Sequence, residues 1–278
     1  MHENRPQLRR ALAGPGMILA PFVFDGLQAR IAERAGFEAI YMTGFGTAAA
    51  RGLPDLGLLT QSEMAENARV LARSVSIPVI CDADTGYGNA LNVIRTVQEY
   101  EAAGAAALHL EDQVSPKRCG FLDGKQVIPQ AEMLPKLRAA CEARSDPDLV
   151  LIARTDALQP EGWDAVERRA RAYRDAGADL VFVDGIRTLG DLDTYAERLG
   201  DLGCVYNGNL LPADQVAERG FRIMLHLGTL TAAFRGVRDA MQELRATGEV
   251  ASEPGLFEDL LDVLDVPGTL ERARKYET

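Results

Sequence analysis

The sequence predicts a (β/α)8 barrel, the TIM-barrel form of the α/β class, and three observations carry that prediction. A unit of helix end, glycine and apolar run recurs at Ala35-Gly36 before FEAIYMTG, Ala103-Gly104 before AAALHLED, Ala176-Gly177 before ADLVFVDG and Arg219-Gly220 before FRIMLHLG. Further apolar runs at 17–25, 77–84, 148–156 and 203–209 alternate with these and bring the strands to eight. The length of 278 residues suits one such barrel, which takes roughly 250.

Each element has a local reason. The recurring glycine supplies the left-handed residue that ends a helix, and the uninterrupted apolar run after it suits a strand covered on both faces. Helical patterns separate the strands at 62–75, 89–103, 130–144, 164–176 and 231–247, and Thr60-x-x-Glu63 forms a capping-box signature. Strict alternation of strand and helix implies an all-parallel sheet, and eight units close into a barrel more naturally than an open doubly wound sheet. No Gly-rich dinucleotide fingerprint follows the first strand, and no Pro- or Ser-rich linker divides the chain. A single catalytic domain over 1–278 with a C-terminal helical extension is therefore expected.

Composition narrows the function. A formal net charge of −11 opposes binding to nucleic acid, whose affinity comes largely from Lys and Arg on phosphates. An anionic substrate would need a local cation, either an arginine or a metal. Cys81, Cys119, Cys141 and Cys204 form no C-x-x-C pair, so neither a disulfide framework nor a zinc knuckle is expected, and a reducing cytoplasm fits. Neither a signal peptide nor a membrane span is expected, since no apolar run approaches about 20 residues.

In a parallel barrel the chemistry sits where the strands end, and here those ends are polar: Tyr41 and Thr43, Asp82 and Asp84, Glu111 and Asp112, Arg154 and Asp156, Asp184, and Asn207. Strand alternation points Asp82 and Asp84 the same way, with Glu111 on the neighbouring strand. Three carboxylates without a His or Cys set call for a hard cation such as Mg²⁺, although a lone Asp after a strand is more often a helix cap. Arg154 either clamps a substrate carboxylate or phosphonate, or pairs with a neighbouring acid. The glycine-bearing loop 116–125 is cationic and able to close over the site; Lys117 and Arg118 would lower the pKa of Cys119, unless Cys119 is an incidental surface thiol. His109 shares the parity of Glu111 and is expected inside the barrel as a structural imidazole.

The segments YMTGFGT, GLPDLG, DADTGYGN, HLEDQVSPKRCG and IARTDA, in this order and spacing, resemble the isocitrate lyase and phosphoenolpyruvate mutase superfamily, most strongly between Met17 and Arg154. The resemblance implies a barrel that exchanges its last helix with a neighbouring subunit in a dimer or tetramer. It implies Mg²⁺, with Mn²⁺ as a substitute, held directly by Asp82 and supported by Asp55, Asp84 and Glu111 largely through water. Tyr41, Thr43 and Gly44 would contact one substrate carboxylate, with Arg154, Asp184, Asn207 and Gly120 completing the site. The K-R-C-G loop is typical of the C–C lyases, which makes Cys119 a general acid and Lys117 a catalytic neighbour.

Three departures fall near the substrate. Phe121 stands where these lyases usually carry His, Asp184 replaces the common Glu, and the segment 207–212 is shortened. The expected activity is a methylisocitrate-lyase-like cleavage of a small 2-hydroxy di- or tricarboxylate. The alternatives are a phosphonomutase, decarboxylase or hydrolase acting on phosphonopyruvate, phosphoenolpyruvate or oxaloacetate, and a non-catalytic metabolite-binding barrel.

Overall fold

All eight predicted strands form, and they close into one parallel barrel in sequence order. The strands are β1 (Ile18–Val23), β2 (Ile40–Met42), β3 (Val79–Asp82) and β4 (Ala107–Glu111), then β5 (Val150–Thr155), β6 (Leu180–Val183), β7 (Cys204–Asn207) and β8 (Ile223–His226). Ile18 pairs with Ile223 to seal β1 against β8. The computed structural model describes residues 4–251 and 253–277.

The predicted helices are present within a few residues of their expected ends, as Gln61–Ser74, Ala90–Ala103, Gln130–Ala143, Trp163–Asp175 and Gly228–Thr247. Thr60 and Glu63 make the reciprocal capping box. Gly36, Gly104, Gly177 and Gly220 have φ of 88°, 101°, 108° and 85°, the left-handed stop their position demanded.

Alternation sorts the side chains into two layers. Phe22, Tyr41, Ile80, Ala107, Ile152, Phe182, Val205 and Leu225 fill the barrel interior, with Leu8 of the helix Asn4–Ala13 in the same cluster. Their neighbours, such as Val79, Cys81, Leu108 and Leu151, face the surrounding helices. Inward parity places Asp82, His109, Glu111, Arg154, Asp184 and Asn207 on the axis at or just past the carboxyl ends of their strands. Outward parity sends Asp112 to Arg169, Tyr173 and Thr155, a structural role.

The helix Gly228–Thr247 behaves differently from the others. None of its residues is buried, and Phe234, Val237 and Met241 on one face are 65%, 61% and 64% exposed. The following helix Leu256–Val263 packs instead on Gly26–Arg34.

Candidate active site

A cavity of about 400 Å³ opens at the carboxyl end of the barrel, lined by Tyr41, Thr43, Asp55, Asp82, Cys119, Gly120, Arg154, Asp184 and Asn207. Nine residues singled out in the sequence thus meet at one surface. Gly44 stands against it: its N–H donates to Asp82 Oδ2 at 3.2 Å, and a Cβ there would lie 2.4 Å from that oxygen. Thr43 caps the short helix Gly44–Ala49, accepting the Gly46 N–H.

The strand ends at Asp82, and Asp84 lies beyond it in the left-handed region with φ of 46°. Its carboxylate turns to Lys117, whose buried Nζ bridges Asp84 at 2.8 Å and Asp55 at 2.6 Å. Among the described residues no three His, Cys, Asp or Glu side chains converge on one metal-binding point, because cations already stand among the acids. Lys117 is one and Arg154 the other, placed 3.1 Å from Glu111, 2.8 Å from Asp156 and 2.6 Å from Asp184. Arg154 is thus paired with neighbouring acids and at the same time lines the cavity.

The balance of charge still favours another cation. Among the described residues, the acids Asp55, Asp82, Asp84, Glu111, Asp156 and Asp184 stand against Lys117, Lys125 and Arg154, with buried Lys136 acting on Glu111 from farther off. Glu111 Oε1 is buried without a hydrogen-bond partner, and burial holds Glu111 well above the usual carboxyl range despite Arg154. Burial likewise raises Asp84 to about 6, against the pull of Lys117. Burial would also raise Asp82, but His109, Lys117 and Arg154 outweigh it and hold it near 2. An all-oxygen set with surplus negative charge fits a divalent hard cation at Asp82, with Asp84 and Glu111 beside it.

His109 occupies its expected place, fully buried and 2.9 Å from the Tyr41 hydroxyl. Burial lowers it to about 4, which leaves it neutral at neutral pH.

The loop 116–125 lies across the cavity and is tied down at several points. Cys119 N–H donates to Asp55 O at 3.1 Å, and the Gln113 side chain holds both backbone groups of Arg118. Buried Lys125 donates to Gly120 O at 2.7 Å and to Asp156 at 2.9 Å. Gly120 admits no side chain, since a Cβ would sit 1.6 Å from Asp184 Oδ2. Asp156 was named only as a polar strand end and Lys125 only as part of the cationic loop, neither with a role in the site. Asp156 shares the parity of Arg154, which could have revealed it; nothing local marks Lys125.

The expected lowering of the Cys119 pKa is overturned. Burial, aided by Asp55 and Asp184, pushes the thiol up to about 11. Lys117 is committed to its two aspartates, and Arg118 is exposed and turned toward Asp123 O. Cys119 should therefore alkylate slowly. Relative to an ordinary thiol the thiolate fraction falls ~100-fold, the more basic thiolate recovers about tenfold in nucleophilicity, and iodoacetamide should react ~10-fold more slowly at pH 7.5. Peptide mass spectrometry over time checks this, and labelling as fast as free cysteine would contradict a raised Cys119 pKa.

Comparison with known proteins agrees with this geometry. A profile of the phosphoenolpyruvate phosphomutase family matches residues 8–245. A 2-methylisocitrate lyase of Bacillus subtilis is 42% identical over 225 residues, covering 79% of this chain and 74% of that protein. The crystal structure of a 2,3-dimethylmalate lyase, a PEP mutase/isocitrate lyase superfamily member, superposes with a TM-score of 0.93 at 39% identity, covering 99% of this chain and 96% of the other. A phosphonopyruvate hydrolase solved with oxalate and Mg²⁺ superposes at 0.89 with 32% identity, covering 99% of both chains. The barrel, the cavity and these likenesses place the chain in the phosphoenolpyruvate mutase and isocitrate lyase superfamily of enzymes.

Proposed function

We propose that the protein is a Mg²⁺-dependent carbon–carbon lyase that splits a small 2-hydroxy di- or tricarboxylate into a 2-oxo acid and a second carboxylic acid. The observation that carries this reading is the place of the Cys119 thiol on the wall of a cavity that also presents Asp82, Asp55 and Asn207. Mg²⁺ held by Asp82, with Asp84 and Glu111 beside it, would supply Lewis-acid stabilisation of developing negative charge.

The remaining work falls to the protein's own groups. Asp55, steered by Lys117, takes the proton from the substrate hydroxyl as its oxygen becomes the carbonyl of the 2-oxo acid. The electron pair of the breaking C–C bond leaves on the second acid, where the Cys119 thiol delivers a proton to carbon. Tyr41, Thr43 and the Gly44 backbone orient one substrate carboxylate. Asn207, whose amide nitrogen donates to Asp184 at 3.2 Å, has a second N–H with which to donate to a substrate carboxylate. Arg154 reaches a substrate carboxylate by exchange with Asp184, and Gly120 lets the loop close onto both.

One catalytic domain spanning 1–278 acts in the cytoplasm, in keeping with four free cysteines and with no described helix long and apolar enough to cross a membrane. The bare apolar face of Gly228–Thr247 supports a dimer or tetramer in which this helix packs on a neighbouring copy. Phe121 favours a second reading, a hydrolase or mutase acting on phosphonopyruvate, phosphoenolpyruvate or oxaloacetate, since the histidine of K-R-C-G-H is missing.

An NMR time course with Mg²⁺ separates the two. Methylisocitrate, isocitrate, dimethylmalate, oxaloacetate, phosphonopyruvate and phosphoenolpyruvate are offered to wild type and to Cys119→Ala. The expected result is pyruvate or glyoxylate with a second acid, lost in the variant. Phosphonate rearrangement, hydrolysis or decarboxylation that ignores Cys119 would replace the first reading with the second.

A further inference from the structure

The cavity has two chemically distinct parts. Strand ends supply its polar floor: Tyr41, Asp82, Arg154, Asp184 and Asn207. The upper wall comes from Phe45, from Phe121 and Leu122 of the loop over the site, and from Leu227, Leu230 and Thr231 around the start of Gly228–Thr247, the Thr231 hydroxyl being turned to Gly228 O. Phe45, Phe121 and Leu122 are 44%, 41% and 46% exposed. Single exposed apolar side chains need no explanation, but several lining one concave site indicate what it receives.

Charge points the same way. Among the described lining residues Arg154 is the sole cation, facing Asp55, Asp82 and Asp184, and its Nε, Nη1 and Nη2 are each paired with an acid. The other cations near the loop are directed elsewhere: Lys117 to Asp55 and Asp84, Lys125 to Asp156 and Gly120 O, Arg187 to Asp123 and Phe121 O, and exposed Arg118 to Asp123 O and a separate cavity with Gln113 and Ser115. A carboxylate carried up to this wall would lose its water and find hydrocarbon and aspartates, an unfavourable exchange for an unpaired charge.

We propose that this wall is a specificity pocket for an uncharged alkyl or aryl substituent on the departing acid, and that Phe121, Leu122 and Leu230 determine that preference. The proposal rests on the lyase reading for the identity of the departing acid. The substrate class becomes a 2-hydroxy dicarboxylate with an apolar branch next to the carbon bearing the hydroxyl, in place of the carboxymethyl branch of an isocitrate-type tricarboxylate. The Phe121 departure from K-R-C-G-H then has a purpose: the position that usually offers a polar imidazole offers a ring to pack against.

Two 2-methylmalates with matched branches at C3, isobutyl and carboxymethyl, test this because the branches are alike in shape and differ in charge. Affinity is measured calorimetrically with Mg²⁺ on the full-length Cys119→Ala protein, and products are followed by NMR on wild type. Each buried methylene contributes about fourfold in affinity, so the isobutyl compound should bind at least ~10-fold more tightly. Leu122→Arg should shrink that ratio by ~10-fold or reverse it, because it brings a cation to the wall.

Equal or tighter binding of the carboxymethyl compound overturns the proposal, as does a ratio that Leu122→Arg and Leu230→Arg both leave unchanged. The lyase reading is judged separately. If the isobutyl compound binds more tightly but neither compound is cleaved by wild type, the wall keeps its specificity and the lyase reading falls.

Discussion

Cys119→Ala should lower kcat by about 10²–10⁴-fold, the usual contribution of a positioned general acid, while the protein stays folded and still binds its substrate. The thiol is only partly buried, so its loss leaves no large void. The loop keeps its anchors, because the Cys119 N–H to Asp55 O bond and the Lys125 to Gly120 O bond are made by the backbone and by another side chain. With its pKa pushed up to about 11 the thiol is in the acid form throughout the neutral range. The sign follows: the acid is lost only as pH rises through that value, so Cys119 should add no alkaline limb to the kcat profile near pH 8 or 9. Cys119→Ser should recover little, because a hydroxyl is a far weaker acid than a thiol. Steady-state kinetics on product release decides the matter, and a kcat within threefold of wild type in Cys119→Ala would remove Cys119 from the chemistry.

What the sequence made legible was whatever follows from a local period. Alternation within a strand put Glu111 and His109 on the barrel axis, and the recurring glycines placed the helix ends. Asp84, two residues past Asp82, lies outside the reach of that rule, because the strand had already ended and the backbone had turned to φ of 46°. Adjacency in sequence misled the reading of Cys119. Lys117 and Arg118 precede it, yet their charges are directed to Asp55 and Asp84 in one case and toward Asp123 in the other, and burial sets the thiol. Pairings of this kind join residues separated by dozens of positions, as Lys117 and Asp55 are, and no spacing rule announces them. The apolar wall was invisible for the same reason, since Phe45, Leu122 and Leu230 meet only once the barrel closes.

Arg154→Met should be the most destabilising single change in the site. Arg154 is 5% exposed, and its guanidinium lies over the Phe182 ring at 5.2 Å and holds Glu111, Asp156 and Asp184. Burial alone would lower its pKa, but Asp156, Asp184 and Glu111 outweigh that and keep it firmly charged. Removing the cation from a buried ion pair typically costs about 3–5 kcal/mol, because the partner charges stay behind. Lys125 would still answer Asp156, so the unpaired charge falls on Glu111 and Asp184. Glu111 already has a raised pKa, and losing Arg154 raises it further. The folded variant then binds protons that the unfolded chain releases above the ordinary carboxyl range, so its stability should recover as pH falls and worsen as pH rises. Denaturant unfolding without added metal should show a larger deficit at pH 8 than at pH 5.5. Adding Mg²⁺ should narrow the deficit if a divalent cation sits among the same carboxylates, through its binding to the folded state alone. Arg154→Lys restores a charge but not the fork that reaches three acids, and should fall between Arg154→Met and wild type. A deficit below about 1 kcal/mol for Arg154→Met at pH 8, much less than a broken buried pair costs, would mean that solvent or another cation already compensates these acids, and the charge balance argued for the site would have to be redrawn.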